Sequence, residues 1–255
     1  MHAPAIPSLA NSTADRVIEI LLLFSYEKPA WTALELAQKM DMPRSTVYRY
    51  LGSLKNSQLI LEDGDGSFRL GPKIQVLASV GRATTSYLGL AREEMLKLSD
   101  RFNETVLFNE LVDFDVVTLE RIESRQRIRL ASTRGSLLPW PATASAKLFL
   151  AYASPEKLSQ VWSLSRPHAY TSSTIVDKDA LLYELKKIAH EGYAYSDEER
   201  DEGVVGVSVP IITGHEVKHC LSMVAPKFRV GAQDLEQMRD ALLETAKVIT
   251  RHRSD

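Results

Sequence analysis

Between positions 44 and 49 the chain sets Arg44, Ser45, Thr46, Tyr48 and Arg49 on one polar face of a predicted helix, with no acidic residue among them. Guanidinium forks pair bidentately with phosphate or with the O6 and N7 edge of guanine, and hydroxyls reach phosphate and base edges. That chemistry suits nucleic acid. From Lys39 to Lys55 four cations (Lys39, Arg44, Arg49, Lys55) stand against Asp41 alone. The plain alternative is a helical hairpin that happens to be polar on one side.

The elements that must position these side chains run from Trp31 to Gly71. Thr32-x-x-Glu35 is a capping box that satisfies orphan donors at a helix start. Leu36, Ala37 and Met40 give that helix an apolar face. Asp41-Met42-Pro43 ends it, with Pro43 expected in the first turn of the next helix, where its missing N–H had no partner. Val47, Tyr50, Leu51 and Leu54 recur at i, i+3, i+4, i+7 and form one buried stripe. After Gln58 the period becomes two: Leu59-Ile60-Leu61 and Ser67-Phe68-Arg69-Leu70 flank the hairpin signal Glu62-Asp63-Gly64-Asp65-Gly66. Helix, turn, helix and hairpin in that order predict a winged helix-turn-helix, its second helix in the major groove and its wing against phosphate through Arg69. A scaffold helix precedes it, opened by Ser12-x-x-Asp15 and striped by Val17, Ile20, Leu21 and Phe24.

A second group of residues could hold a small molecule. Val205, Val207, Val209 and Ile211 form one apolar face of a predicted strand, leaving Val204, Gly206, Ser208 and Pro210 on the other. The following strand alternates Leu221 and Met223 with Cys220, Ser222 and Val224. Small, weakly polar groups leave room for a ligand cavity, or for a helix laid across the sheet. Thr143 is the expected N-cap of a helix whose first N–H groups, at Ala144, Ser145 and Ala146, would favour a carboxylate.

Other chemistry finds no support. There is no Gly-x-Ser-x-Gly elbow, phosphate-binding loop or His-Glu-x-x-His, so no catalytic residues, metal site or cofactor are expected. The histidines at 2, 168, 190, 215, 219 and 252 are scattered. Ser196-Asp197-Glu198-Glu199-Arg200-Asp201-Glu202 reads as a solvated acidic loop, and Cys220 as a small strand residue more than a reactive thiol. A length of 255 residues suggests two domains, and 44% hydrophobic with 25% charged residues describes a globular chain. No apolar run is long enough to span a membrane. The opening residues lack signal-peptide character, and a single cysteine fits a reducing cytoplasm. Residues 1 to 85 carry nine Lys/Arg against eight Asp/Glu. So few cations imply that tight DNA binding needs more than one subunit.

In order, the expectation is a disordered arm over 1–11, a winged helix-turn-helix over 12–71, a linker helix over 72–87 and a second domain over 88–255. In that domain Leu88, Ala91, Met95, Leu98 and Phe102 stripe a helix. Strand-like runs cover Glu104 to Leu111, Asp115 to Arg121 and Arg127 to Ser132. A loop holds Leu138-Pro139-Trp140-Pro141, and helices follow from Ala142, Pro155 and Asp177, the last stopped by Gly192. Strands cover Val204 to Ile212 and Lys218 to Val224, and a final helix runs from Ala232 to Arg251. This is α+β, with an antiparallel sheet and flanking helices.

Three segments carry a family resemblance. MPRSTVYRYLGSL, LPWPATASAKLFLA and HEGYAYSDEERDEGVVGVSVPI, so ordered and spaced along the chain, resemble the recognition-helix, pocket and signature segments of the IclR family of bacterial transcription regulators. The resemblance runs from Ala14 to the last helix. It implies a winged helix, a linker helix and a GAF/PAS-like effector domain. It also implies dimers or dimers of dimers on a palindromic operator, and a small organic-acid effector. Carried over by position, the pocket would include Leu138, Ala144, Ser145, Ser196, Val204, Gly206, Ser222 and Val224, with Trp140 and Cys220 beside it. Ser196, Gly206 and Val224 stand where acid-binding members carry Asp, Cys and Ser. Fewer polar groups and a nearby indole imply a larger, partly apolar acid, with aromatic acids among the candidates.

Overall fold

The computed structural model describes residues 12–25, 28–83, 86–127, 133–164, 167–213 and 216–251, and the chain divides into two compact units at Ser86 and Tyr87. The strand expected at Arg127 to Ser132 falls, after Arg127, outside the described residues, as does the arm before Ser12.

The first unit is built from local signals that agree. Helix α1 (Thr13–Leu22) opens on the Ser12/Asp15 capping box, and α2 (Ala33–Lys39) on the Thr32/Glu35 box, each with both reciprocal bonds made. Helix α3 (Arg44–Asn56) buries Val47, Tyr50, Leu51 and Leu54. Pro43 is its N-cap, one residue outside the first turn where the sequence placed it. The wing strands β2 (Ile60–Glu62) and β3 (Ser67–Leu70) pair antiparallel, and β1 (Ala30–Thr32), absent from the sequence reading, pairs with the other edge of β3. Trp31 explains it: the ring is buried opposite Phe68, its indole donates to the Leu23 carbonyl at 3.0 Å, and Lys28 lies 3.8 Å above it. Ile20, Leu36, Leu51 and Ile60 complete this core. Gly71 closes the wing where a Cβ would overlap the Gln58 carbonyl, and α4 (Pro72–Ala83) follows.

The second unit is a six-stranded antiparallel sheet, ordered β6 (Leu137–Leu138), β5 (Asp115–Ile122), β4 (Thr105–Val112), β9 (Glu216–Pro226), β8 (Val204–Thr213), β7 (Ala194–Asp197). Strands β6 and β7 are too short to show a period, and the sequence reading placed loops there. On one face α5 (Ser86–Phe102) and α9 (Ala232–Arg251) cover Val106, Phe108, Val207, Val209, Leu221 and Met223. On the other lie α6 (Ala144–Ala151), α7 (Pro155–Leu164) and α8 (Lys178–Glu191), the last capped by Asp177 and ended by Gly192 at φ +80°. The alternation read from the sequence therefore assigns the two faces correctly. The small-residue face of β8 and β9 looks toward α6, and Gly206 permits the approach: a Cβ there would lie 3.2 Å from Val224 Cγ1 and 4.0 Å from Ala144 Cβ.

Candidate functional site

On α3, burial of the Val47 stripe forces the opposite residues outward. Arg44, Ser45, Tyr48 and Arg49 are exposed and Thr46 is half-buried. The first turn has no side-chain cap and no acidic residue, so the positive end of the helix dipole faces solvent uncompensated. The Arg49 guanidinium rests 5.4 Å from the Tyr50 ring centroid. Two other cations are engaged. Lys55 binds Glu62 at 2.5 Å, tying α3 to the wing, and Arg69 donates from Nε to Asp63 Oδ1 at 2.9 Å across the wing's own turn.

In the second unit a cavity of about 210 Å³ lies between the start of α6 and the small-residue face of the sheet. Of the residues expected there, Leu138, Ala144, Ser145, Ser196, Val204, Gly206 and Val224 form its wall. Three others do not. The Trp140 indole donates to the Phe114 carbonyl at 2.6 Å and packs into the core under α6. Ser222 and Cys220 are fully buried and sit behind the wall residues. Ser222 hydrogen-bonds Ser145 and Ser208 at 2.8 and 2.7 Å, and Asn109 Nδ2 donates to Ser145 Oγ at 2.9 Å and Ser222 Oγ at 3.2 Å. Thr118 donates to Asn109 Oδ1 at 3.0 Å and so fixes which end of the amide faces the serines. Burial pushes the Cys220 thiol up to about 11 despite these neighbours; at neutral pH it is an unreactive thiol.

Wall residues that the sequence reading missed are Leu107, Ala142, Thr143, Arg200, Asp201 and Ser208. Ser208 had been placed on the correct face. Arg200 lay hidden in the acidic run, whose reading as a solvated loop fails at Glu199. That residue is buried and meets the fully buried Lys147 ammonium at 2.5 Å. Burial raises the Glu199 carboxyl above its usual range, with Lys147 pulling the other way. At the helix start, Thr143 caps the Ala146 N–H at 3.2 Å, and the N–H groups of Ala144 and Ser145 have no acceptor among the described residues. The wall thus offers apolar surface, hydroxyls, two open N–H groups and the Arg200 guanidinium, with the Asp201 carboxylate 3.6 Å from its Nε. Among the described residues no cluster of three or more His, Cys, Asp or Glu side chains could hold a metal ion.

A helix-turn-helix with a wing, carried on one chain with an α+β unit enclosing a small cavity, defines a transcription regulator with an effector domain. Comparison with known proteins agrees. Residues 13–64 match the model of the IclR helix-turn-helix domain, and residues 86–251 that of the bacterial transcriptional regulator IclR C-terminal domain. The chain belongs to the IclR family of bacterial transcriptional regulators. It is 30% identical over 238 residues to an HTH-type transcriptional regulator of Mycobacterium tuberculosis, covering 91% of this chain and 89% of that one. Its fold matches a transcriptional regulator from Alicyclobacillus acidocaldarius with TM-score 0.83 at 22% identity, over 94% and 97% of the two chains. It also matches an IclR homolog from Microbacterium hydrocarbonoxydans complexed with 4-hydroxybenzoate, with TM-score 0.78 at 25% identity, over 94% and 100%.

Proposed function

We propose that this regulator binds an inverted-repeat operator as a homo-oligomer, in the cytoplasm, and that a small, partly apolar organic acid in the cavity controls its affinity for DNA. Arg44, Ser45, Thr46, Tyr48 and Arg49 supply groove and backbone contacts from α3, and Arg69 a wing contact once it exchanges Asp63 for phosphate. Exposed Val76, Leu77 and Val80 on α4 support association with a second copy. The observation that carries the effector reading is the composition of the cavity wall. Leu107, Leu138, Val204 and Val224 accept an apolar body, while Arg200 and the Ala144 and Ser145 N–H groups favour a carboxylate. At about 210 Å³ the cavity lies below the roughly 300–1,000 Å³ usual for drug-sized ligands, which points to a single small ring. The complex of the Microbacterium homolog with 4-hydroxybenzoate is of the same kind.

Binding is proposed here, not turnover. Ser145, Ser208 and Ser222 are hydrogen-bonded to one another and to Asn109, and among the described residues no histidine or carboxylate hydrogen-bonds any of the three as a base. Ligand in the second unit would change the relative pose of two winged helices, and a mismatch with half-site spacing would lower affinity; such coupling is worth about 1–3 kcal/mol. Calorimetric titration of the full chain with aromatic acids and with two- and three-carbon acids tests the reading. It expects saturable binding of an aromatic acid, displaced by substituting Arg200→Ala. Crystals soaked in the mixture that contain only a two- or three-carbon acid would overturn it.

A further inference from the structure

Cavity residues Arg200 and Asp201 sit on the six-residue connection between β7 and β8, and this loop is fastened from several sides at once. Glu198 is held by the Lys227 ammonium at 2.6 Å and by the Gly203 N–H at 2.7 Å, and its carbonyl accepts from Thr171 Oγ1 at 2.6 Å. The next residue, Glu199, turns inward. Its carbonyl accepts from Thr174 Oγ1 at 2.6 Å, and its carboxylate meets Lys147 Nζ at 2.5 Å, with Glu184 Oε1 3.6 Å from the same ammonium. Lys147 is 1% exposed and stands on α6 two residues after Ser145, so one side chain joins the helix that forms one wall of the cavity to the loop that forms another.

We propose that Lys147 and Glu199 form a buried latch that positions Arg200 and Asp201 on the cavity wall, making Lys147 a positioning residue for effector binding. The proposal rests on the reading of the cavity as the effector site. Its physical basis is what a buried ion pair does well. Such a pair seldom stabilises a fold more than an apolar pair of the same size would, but it can specify one arrangement over others, because misplacing either charge leaves the other uncompensated. An apolar contact at this point would tolerate sliding of the loop. The charge pair fixes its depth, and Glu198 and the two threonines fix its ends.

The test compares the full chain with Lys147→Met and with the double variant Lys147→Met/Glu199→Leu, by thermal unfolding, hydrogen–deuterium exchange and titration with benzoate. Lys147→Met leaves a buried carboxylate alone and lowers the melting temperature. The double variant regains it, yet amides of residues 200–203 exchange about tenfold faster and benzoate binds about tenfold more weakly than in the wild type. Should the double variant not fold, Glu199→Gln, which keeps the size and an acceptor for the ammonium, serves the same comparison. Wild-type exchange rates across 200–203 in a folded variant lacking the charge pair overturn the latch, whether or not benzoate binds. Faster loop exchange with no benzoate binding by the wild type supports the latch and counts against an aromatic effector.

Discussion

Arg49 and Arg69 differ in what DNA would have to displace. Arg69 already holds Asp63 at 2.9 Å on the exposed wing, so a phosphate must compete with that carboxylate. Arg49 only leans over the Tyr50 ring and is available to a base edge. Substituting Arg49→Ala should therefore relax sequence preference, by about 1–3 kcal/mol of discrimination if the contact is a bidentate pair with guanine. Competition between matched and mismatched duplexes measures this, and an equal loss on every sequence would mark a phosphate contact instead. Cys220 gives a second prediction at the same scale. With its thiol pushed up to about 11 and no exposed surface, it should resist iodoacetamide in the native protein at pH 8 and react once the protein is unfolded. Rapid native labelling, followed by mass spectrometry, would contradict the buried network around Asn109.

At the scale of elements, the sequence was most legible where a signal is local and repeated. The capping boxes at Ser12 and Thr32, the Val47 stripe, the Gly192 stop and the alternation of β8 each declare themselves within a few residues. What stayed illegible depends on distant partners. Strand β1 exists because Trp31 lies opposite Phe68, and β6 because two residues pair with β5. Glu199 looks solvated in the sequence because Lys147, which neutralises it, is 52 positions away. Trp140, Cys220 and Ser222 are expected in the pocket but do not line the cavity, because neither periodicity nor resemblance says which side chain of a packed layer reaches the open space. Two predictions belong here. Hydrogen bonds from Lys28 first, then from Thr32, hold the Glu35 carboxyl at about 2, below its ordinary 4.5. A depressed carboxyl contributes stability that is present above about 4.5 and lost as pH falls toward 2. The α2 capping box should therefore fail in that window, and the Glu35→Gln variant should unfold with a shallower acid dependence than the wild type. At Gly71, a Cβ would overlap the Gln58 carbonyl, so Gly71→Ala should cost about 1–3 kcal/mol by forcing the end of the wing apart, measured by denaturant unfolding.

For the whole molecule, the balance of charge argues that DNA binding is shared. The chain carries a net charge of −2, and two of the cations near α3 and the wing are tied to carboxylates. One subunit therefore has few phosphate contacts to offer, and its binding should be weak at physiological salt. Two subunits reading two half-sites would roughly double the salt dependence and add the requirement of symmetry. The most direct test is selection of the purified full-length protein against a random pool of double-stranded DNA at about physiological ionic strength, where specific and non-specific binding separate. The account predicts enrichment of an inverted repeat whose half-sites lie about one helical turn, or a multiple of it, apart. A folded protein that enriches no sequence, with or without a metabolite extract present, would contradict it.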